Sequence, residues 1–202
     1  MRYLLSAFAL FGLLLVSSPA RAAPDTYDFD PLHTQILFFV NHLGFSNSHG
    51  EFLGFDGSFV FDQADPTASS VDVDIKTDSL NMNDERWDEH LKGPDFFNVA
   101  EFPDMKFKST KIEVTGEKTG KITGDLTLLG VTKPVTLDVT FNKAGPHPFN
   151  GKHEAGFSAT GVLKRSDWGM SYGLPMVGDD VTLHIEVEGI RRDQEGQEPF
   201  NP

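Results

Sequence analysis

The chain has 202 residues, with 30 acidic against 17 basic side chains and no cysteine, for a formal charge of −13. That balance excludes nucleic acid and anionic lipid surfaces as natural partners, since both need basic patches, and the missing cysteines exclude a disulfide framework and thiol chemistry. A single domain of this size buries a proper core, so packing alone has to hold the fold.

Arg2 precedes a nearly unbroken apolar run over residues 3–16, and Ala20-Arg21-Ala22 fits a small-x-small cleavage site. Residues 1–22 therefore read as a secretory signal peptide, with an uncleaved anchor as the alternative. The run is shorter than the ~20 residues of a membrane span, and no later segment offers another, so stable membrane insertion is not expected. Cleavage after Ala22 leaves 180 residues and removes Arg2 and Arg21, taking the charge to −15. The expected location is a bacterial periplasm.

From there the chain reads as strand. Residues 26–30 open one and 34–41 continue the pattern, with Ile36-Leu37-Phe38-Phe39-Val40 apolar on both faces. Residues 51–62 are rich in Phe and punctuated by Gly54 and Gly57, and Asp65-Pro66 marks a turn. Val71, Val73 and Ile75 alternate with Asp72, Asp74 and Lys76, the period of a half-buried strand. Met105 and Phe107 alternate with Lys106 and Lys108; the parity then changes to Ile112 and Val114, which predicts a bulge near Ser109-Thr110. Further inward rows are Ile122, Gly124, Leu126 and Leu128; Val135, Leu137, Val139 and Phe141; Phe157, Ala159, Gly161 and Leu163; and Val181, Leu183, Ile185 and Val187.

About eight such strands with short turns imply an all-β domain over residues 23–190, either an antiparallel sandwich or a closed barrel. Gly124, Ala159 and Gly161 are small positions in otherwise bulky rows. They either leave room for a guest or merely relieve strand bending. The tail, 191–202, is polar and expected to be disordered.

One segment breaks the pattern. Residues 84–92 carry a short charged helix signature that ends at Gly93-Pro94, followed by Phe96-Phe97. An insertion of this kind in an all-β domain caps something, and barrel mouths are where such caps carry function.

Several motifs together resemble one family. Tyr27-Asp28-Phe29-Asp30-Pro31-Leu32-His33-Thr34 is similar to its opening Y-x-x-D-P-x-H-S/T, and His42-Leu43-Gly44-Phe45-Ser46 with Gly50-Glu51-Phe52 to its H-x-x-x-S and G-x-F. Arg86-Trp87-Asp88-Glu89-His90-Leu91 with Asp95-Phe96-Phe97 is similar to R-D-x-H-L and D-F-F. Phe102-Pro103, Phe107-Lys108-Ser109-Thr110, Gly124-Asp125-Leu126-Thr127, Gly130-Val131-Thr132-Lys133-Pro134-Val135 and Arg165-Ser166-Asp167-Trp168-Gly169-Met170 complete the series. The order and number of these motifs resemble the YceI-like family of lipid- and polyisoprenoid-binding proteins, from Tyr27 to about Gly189. Trp87 departs from the pattern and displaces Asp88 by one.

The resemblance implies a lipocalin-like eight-stranded antiparallel β-barrel with a short helical insertion. It implies an elongated apolar cavity for a polyisoprenoid, a polyprenyl phosphate or isoprenoid quinone, with no catalytic activity and no cofactor. Composition agrees, because 18 Phe against 2 Trp and 3 Tyr give aromatic surface without polar tips that need partners.

The candidate ligand-binding residues are Phe38, Val40, Phe52, Phe59, Phe107, Leu126 and Ala159 on the strands. Arg86 and His90 share a face of the helix and offer a cationic pair at the mouth, or local ion pairs with Asp84, Asp88 or Asp95. Phe96 and Phe97 dock the lid. Trp168 lines the cavity or seals its closed end by packing with Arg165, which itself reads as an ion pair with Asp167. Seven histidines occur, but without H-E-x-x-H spacing no metal site is expected, and His33 reads as a turn residue. An enzyme acting on a lipid, a filled structural module and a homodimer remain the alternatives to a monomeric carrier.

Overall fold

The computed structural model describes residues 24–194; the expected signal peptide lies outside them. Eleven β segments and one helix follow in order: β1 Asp25–Phe29, β2 Gln35–His42, β3 Ser46–Phe52, β4 Phe55–Phe61, β5 Ser70–Lys76, β6 Leu80–Asn81, α1 Glu85–Lys92, β7 Asp104–Val114, β8 Thr119–Leu128, β9 Val131–Pro146, β10 His153–Lys164 and β11 Val177–Arg191.

These segments are eight barrel strands, three of them bent. β1 and β2 both pair with β11, one on each side of a bend at 30–34. β4 and β3 pair in turn with β1 and β2, and β5 and β6 with β4 and β3. Pairing then runs β5–β7–β8–β9–β10–β11, and β11 returns to the first strand to close the ring. Every pairing is antiparallel, and all but the closing one between the first and last barrel strands join neighbours in sequence. Closure decides for a barrel over a sandwich, giving the all-β, eight-stranded architecture with one short helical insertion.

Alternation fixes which side chains face inward. Val71, Val73 and Ile75 of β5 line the interior. Outside, Asp72 meets Lys108 at 3.0 Å, Asp74 meets Lys106 at 2.7 Å and Lys76 meets Asp104 at 2.6 Å, each directly across the β5–β7 ladder. Exposed pairs of this kind contribute only about 0.2–1 kcal/mol each, so their main effect is on register. The parity change in β7 is a register shift between Ser109 and Lys111.

The bends in the first three strands lie side by side. The Leu53 amide donates to the Ser79 carbonyl at 3.2 Å and the Lys76 amide to the Gly54 carbonyl at 2.8 Å. Buried Thr77 gives its hydroxyl to the Phe102 carbonyl at 2.7 Å. At the first bend the Thr34 hydroxyl donates to the Glu188 carbonyl at 3.1 Å, and His33 Nδ1 contacts Asp30 at 2.6 Å. Backbone groups released by each kink are thereby paired again, as buried polar groups require.

Two apolar clusters make up the interior of the ring. The larger runs from Ile36 and Phe52 through Phe107 and Leu126 to Trp168 and Met170. The smaller gathers Tyr27, Phe59, Phe61 and Ala155 at the end opposite the helix. There Tyr27 stacks on Phe59 with ring centres 5.0 Å apart, and its hydroxyl bonds His153 Nδ1 at 3.2 Å.

The tail expected to begin at 191 is ordered further than its polarity suggests. Arg191 pairs with Tyr27 in the ladder, and Arg192–Gln194 form a 3-10 turn in which Arg192 Nε reaches Asp28 at 2.9 Å. Positions 195–202 lie outside the described residues.

Gly57 allows β4 to bend against β5. Its φ is +139°, and a Cβ there would sit 2.2 Å from the Asp72 carbonyl oxygen. Gly57→Ala is expected to cost about 1–3 kcal/mol and to lower the thermal midpoint by roughly 3–10 °C, read by circular dichroism. An unchanged midpoint would show that the strand relaxes around the methyl group.

Candidate functional site

The cap is built from local rules. Asp84 is the N-cap of α1 and accepts from the Arg86 amide at 3.1 Å and the Trp87 amide at 3.3 Å. Gly93 ends the helix. The following chain folds back on the helix C-terminus: the Phe97 amide donates to the Leu91 carbonyl at 3.0 Å and the Phe96 amide to the Gly93 carbonyl at 3.1 Å. This turn aims two adjacent aromatics into the barrel. Phe97 meets Phe52 edge-on at 5.4 Å, and Phe96 packs against His90 at 5.1 Å and Tyr172 at 5.4 Å.

Beneath the cap lies a cavity of about 870 Å³, within the ~300–1,000 Å³ typical of small-molecule sites. Its wall is the set of inward rows read from the sequence, from Phe38 and Val40 on β2 round to Leu183 and Val187 on β11. It runs the length of the barrel. At the helix end the lining reaches exposed Trp87, His90 and Tyr172, and at the other end exposed Gln63, Glu117 and Lys118. Leu43, Phe45 and Met176 add exposed apolar surface around the helix-end rim, where the Leu43 amide donates to the Met176 carbonyl at 3.1 Å.

Phe38, Val40, Phe52, Phe59, His90, Phe96, Phe97, Phe107, Leu126 and Ala159 all line this cavity. Two expected residues do not. The Arg86 side chain is 88% exposed and turns back to its own N-cap, with Nη2 3.0 Å from Asp84 Oδ2 and Nε 3.2 Å from Oδ1. The bond to Arg86 holds the Asp84 carboxyl below the usual carboxylate range. The i, i+4 spacing therefore makes no cationic pair: Arg86 is neutralised outside, while His90 packs among rings. Trp168 is 3% exposed but sits in the wall rather than on its surface, with Nε1 donating to the Leu126 carbonyl at 3.2 Å. It seals.

The small positions also divide. Ala159 borders the cavity, whereas the place a Cβ would take at Gly124 lies 2.4 Å from the Phe107 ring, and at Gly161 2.7 Å from Leu137. Those two glycines admit neighbouring core side chains, not a guest.

Arg165 does not pair with Asp167. Asp167 faces Lys133 at 3.6 Å, and Arg165 is one of the cavity-lining residues, with its guanidinium bonded to backbone carbonyls. Burial pushes its pKa below the usual arginine value. Trp87, Met82, Met170 and Tyr172 also line the cavity and were not anticipated. Only Trp87 carried a sequence signal, as the departure from the family block; its ring lies 6.0 Å from His42 at the rim. The shifted Asp88 accepts the Met82 amide at 2.6 Å, tying the helix to β6.

Outside the cavity, Asp30, His33 and Glu188 bring oxygen and nitrogen atoms within 4.8 Å of one another at the first bend. His33 is hydrogen-bonded within that turn, and this contact with Asp30 raises its pKa. Among the described residues no helix is long and apolar enough to cross a membrane.

Comparison with known proteins places this geometry. A UPF0312 protein of Pseudomonas putida (strain W619) is 43% identical over 187 residues, covering 93% of this chain and 96% of the relative. The crystal structure of Campylobacter jejuni YceI protein matches with a TM-score of 0.66 at 36% identity, over 75% of this chain and 90% of that one. A polyisoprenoid binding domain from Saccharophagus degradans shares the fold at a TM-score of 0.61 and 10% identity, over 84% of this chain and 99% of its own. The family model described as the YceI-like domain matches residues 27–189, and the chain belongs to the YceI-like family.

Proposed function

We propose that this protein is an exported carrier or scavenger that sequesters a polyisoprenoid lipid, a polyprenyl phosphate or an isoprenoid quinone, inside the barrel. The observation that carries this reading is the cavity of about 870 Å³ walled almost wholly by hydrocarbon. At the ~30 Å³ of a water in the liquid it has room for roughly thirty heavy atoms. A chain of several isoprene units is of that size and needs an elongated apolar sleeve. The likeness to a domain described as polyisoprenoid binding supports the same class of guest. Export is supported by the N-terminal apolar run and its small-x-small end.

The mechanism is binding without chemistry. Burying the tail gains about 25 cal/mol per Å² of apolar surface removed from water, and ordering a flexible chain returns much of that gain. A rigid sleeve limits the loss to the guest. Trp87, His90 and Tyr172 at one rim, backed by Phe96 and Phe97, form the guarded mouth.

Native mass spectrometry of the mature protein purified from a bacterial periplasm, followed by organic extraction, is expected to find one long isoprenoid per chain. A ligand-free protein that also refuses added polyprenyl phosphate and quinone would sink the proposal. Ala159→Trp is expected to place an indole in the cavity and abolish lipid uptake while leaving the circular dichroism spectrum unchanged. Full binding by a folded A159W protein would move the guest elsewhere.

A further inference from the structure

One charged residue of the cavity lining is buried, whereas Glu113, Glu117, Lys118 and Lys121 at the far end are not. Arg165 begins the 3-10 turn after β10 and is 3% exposed, yet it borders the cavity. Its Nε–H donates to the Gly178 carbonyl at 2.8 Å, Nη1 to the Met170 carbonyl at 3.0 Å and Nη2 to the Val177 carbonyl at 3.1 Å. Each terminal nitrogen carries a second N–H. Among the described residues no carboxylate lies in direct ion-pair contact with this guanidinium: Asp167 has turned to Lys133, and Asp179, whose charge still favours the protonated arginine, accepts from the Ser166 amide at 2.9 Å and hydroxyl at 2.8 Å. Arginine stays protonated inside proteins. Burying a cation without a carboxylate in direct contact carries a desolvation cost of several kcal/mol.

The carbonyl contacts explain how the loop from 165 to 178 is held. They bring no charge of their own, Asp179 acts on the guanidinium only through its field, and Arg165 borders the cavity. We infer that Arg165 is a head-group site, and that the preferred guest is an amphiphile whose apolar chain ends in oxyanion oxygens, a polyprenyl phosphate ahead of a neutral quinone. This rests on the lipid reading above. The planar guanidinium matches phosphate and carboxylate oxygens, and charge-assisted hydrogen bonds of this type are the strong ones. With the head on Arg165 near the helix end, the tail runs past Phe107 toward Phe59 and Phe141 at the other end.

Three probes of similar chain length test the inference on the mature protein: a polyprenyl phosphate, the corresponding polyprenol and squalene. The wild type is expected to bind the phosphate about tenfold or more tighter than the polyprenol, and Arg165→Met to erase that preference while squalene affinity stays the same. A folded R165M protein that keeps the preference, or a wild type that binds all three alike, overturns the inference and leaves the lipid reading standing. Failure to bind any of the three overturns both. Should R165M not fold, side-chain ¹⁵N NMR of the wild type decides: the Arg165 guanidinium resonances are expected to shift with the phosphate and not with squalene, and a silent spectrum with bound phosphate overturns the inference.

Discussion

Closing antiparallel strands into a ring forces every second side chain inward, and the rest of this structure depends on that constraint. A sandwich can press its two apolar faces together until no space is left. A ring of eight hydrogen-bonded strands has its diameter set by the ladders, so its inward rows cannot collapse past a fixed distance. Whether space remains is then a matter of side-chain volume. Here Phe107, Leu126 and Val135 are at once the buried core and the cavity wall. Side chains that face a void lack dispersion partners on that side, and a guest of matching shape would restore those contacts.

Both ends of the ring then need treatment. At one end Tyr27, Phe59, Phe61 and Phe157 meet in stacked and edge-on contacts. At the other the insertion between β6 and β7 folds a helix over the opening. The helix buries no residue fully; Leu91 packs against the core, Trp87 and His90 meet rings at the rim, and Phe96, Phe97 and the bond between Asp88 and Met82 complete its hold on the barrel. The cap therefore has less fully buried surface than the strands it covers, and local stability follows local burial.

The polar groups near the cavity follow the same logic of scarcity. Exposed charges on the outer face pair across strands and add little energy, whereas Arg165 inside is held by three carbonyls and no carboxylate. Position in the fold, more than residue type, separates these basic groups: Lys106 and Lys108 help to keep register, Arg86 closes on its own cap, and Arg165 is buried on the carbonyls of its own loop.

Much of this was legible in the chain alone. The alternation of Val71, Val73 and Ile75 with charged residues, the parity change after Phe107, and the Asp84 cap and Gly93 stop are local patterns, and period-2 patterning with capping chemistry determined strands, bulge and helix without reference to the rest of the molecule. Ten of the twelve expected ligand-binding residues line the cavity because inward parity in a closed ring is the same thing as facing the cavity. What remained open was settled by partners. Of the two readings of Arg86, a cation at the mouth and a local ion pair, the ion pair with Asp84 is the one that forms. Gly124 and Gly161 look like gaps, but Phe107 and Leu137 occupy them. Trp168 takes the sealing one of its two expected roles, and Arg165 leaves Asp167 for backbone carbonyls, because partners distant in sequence, the carbonyls of Leu126 and of Val177 and Gly178, decide where each side chain rests. The sequence by itself determined which residues face inward, since that depends only on backbone period. Which of them touch open space was decided by the tertiary structure, since that depends on what each neighbouring strand puts opposite.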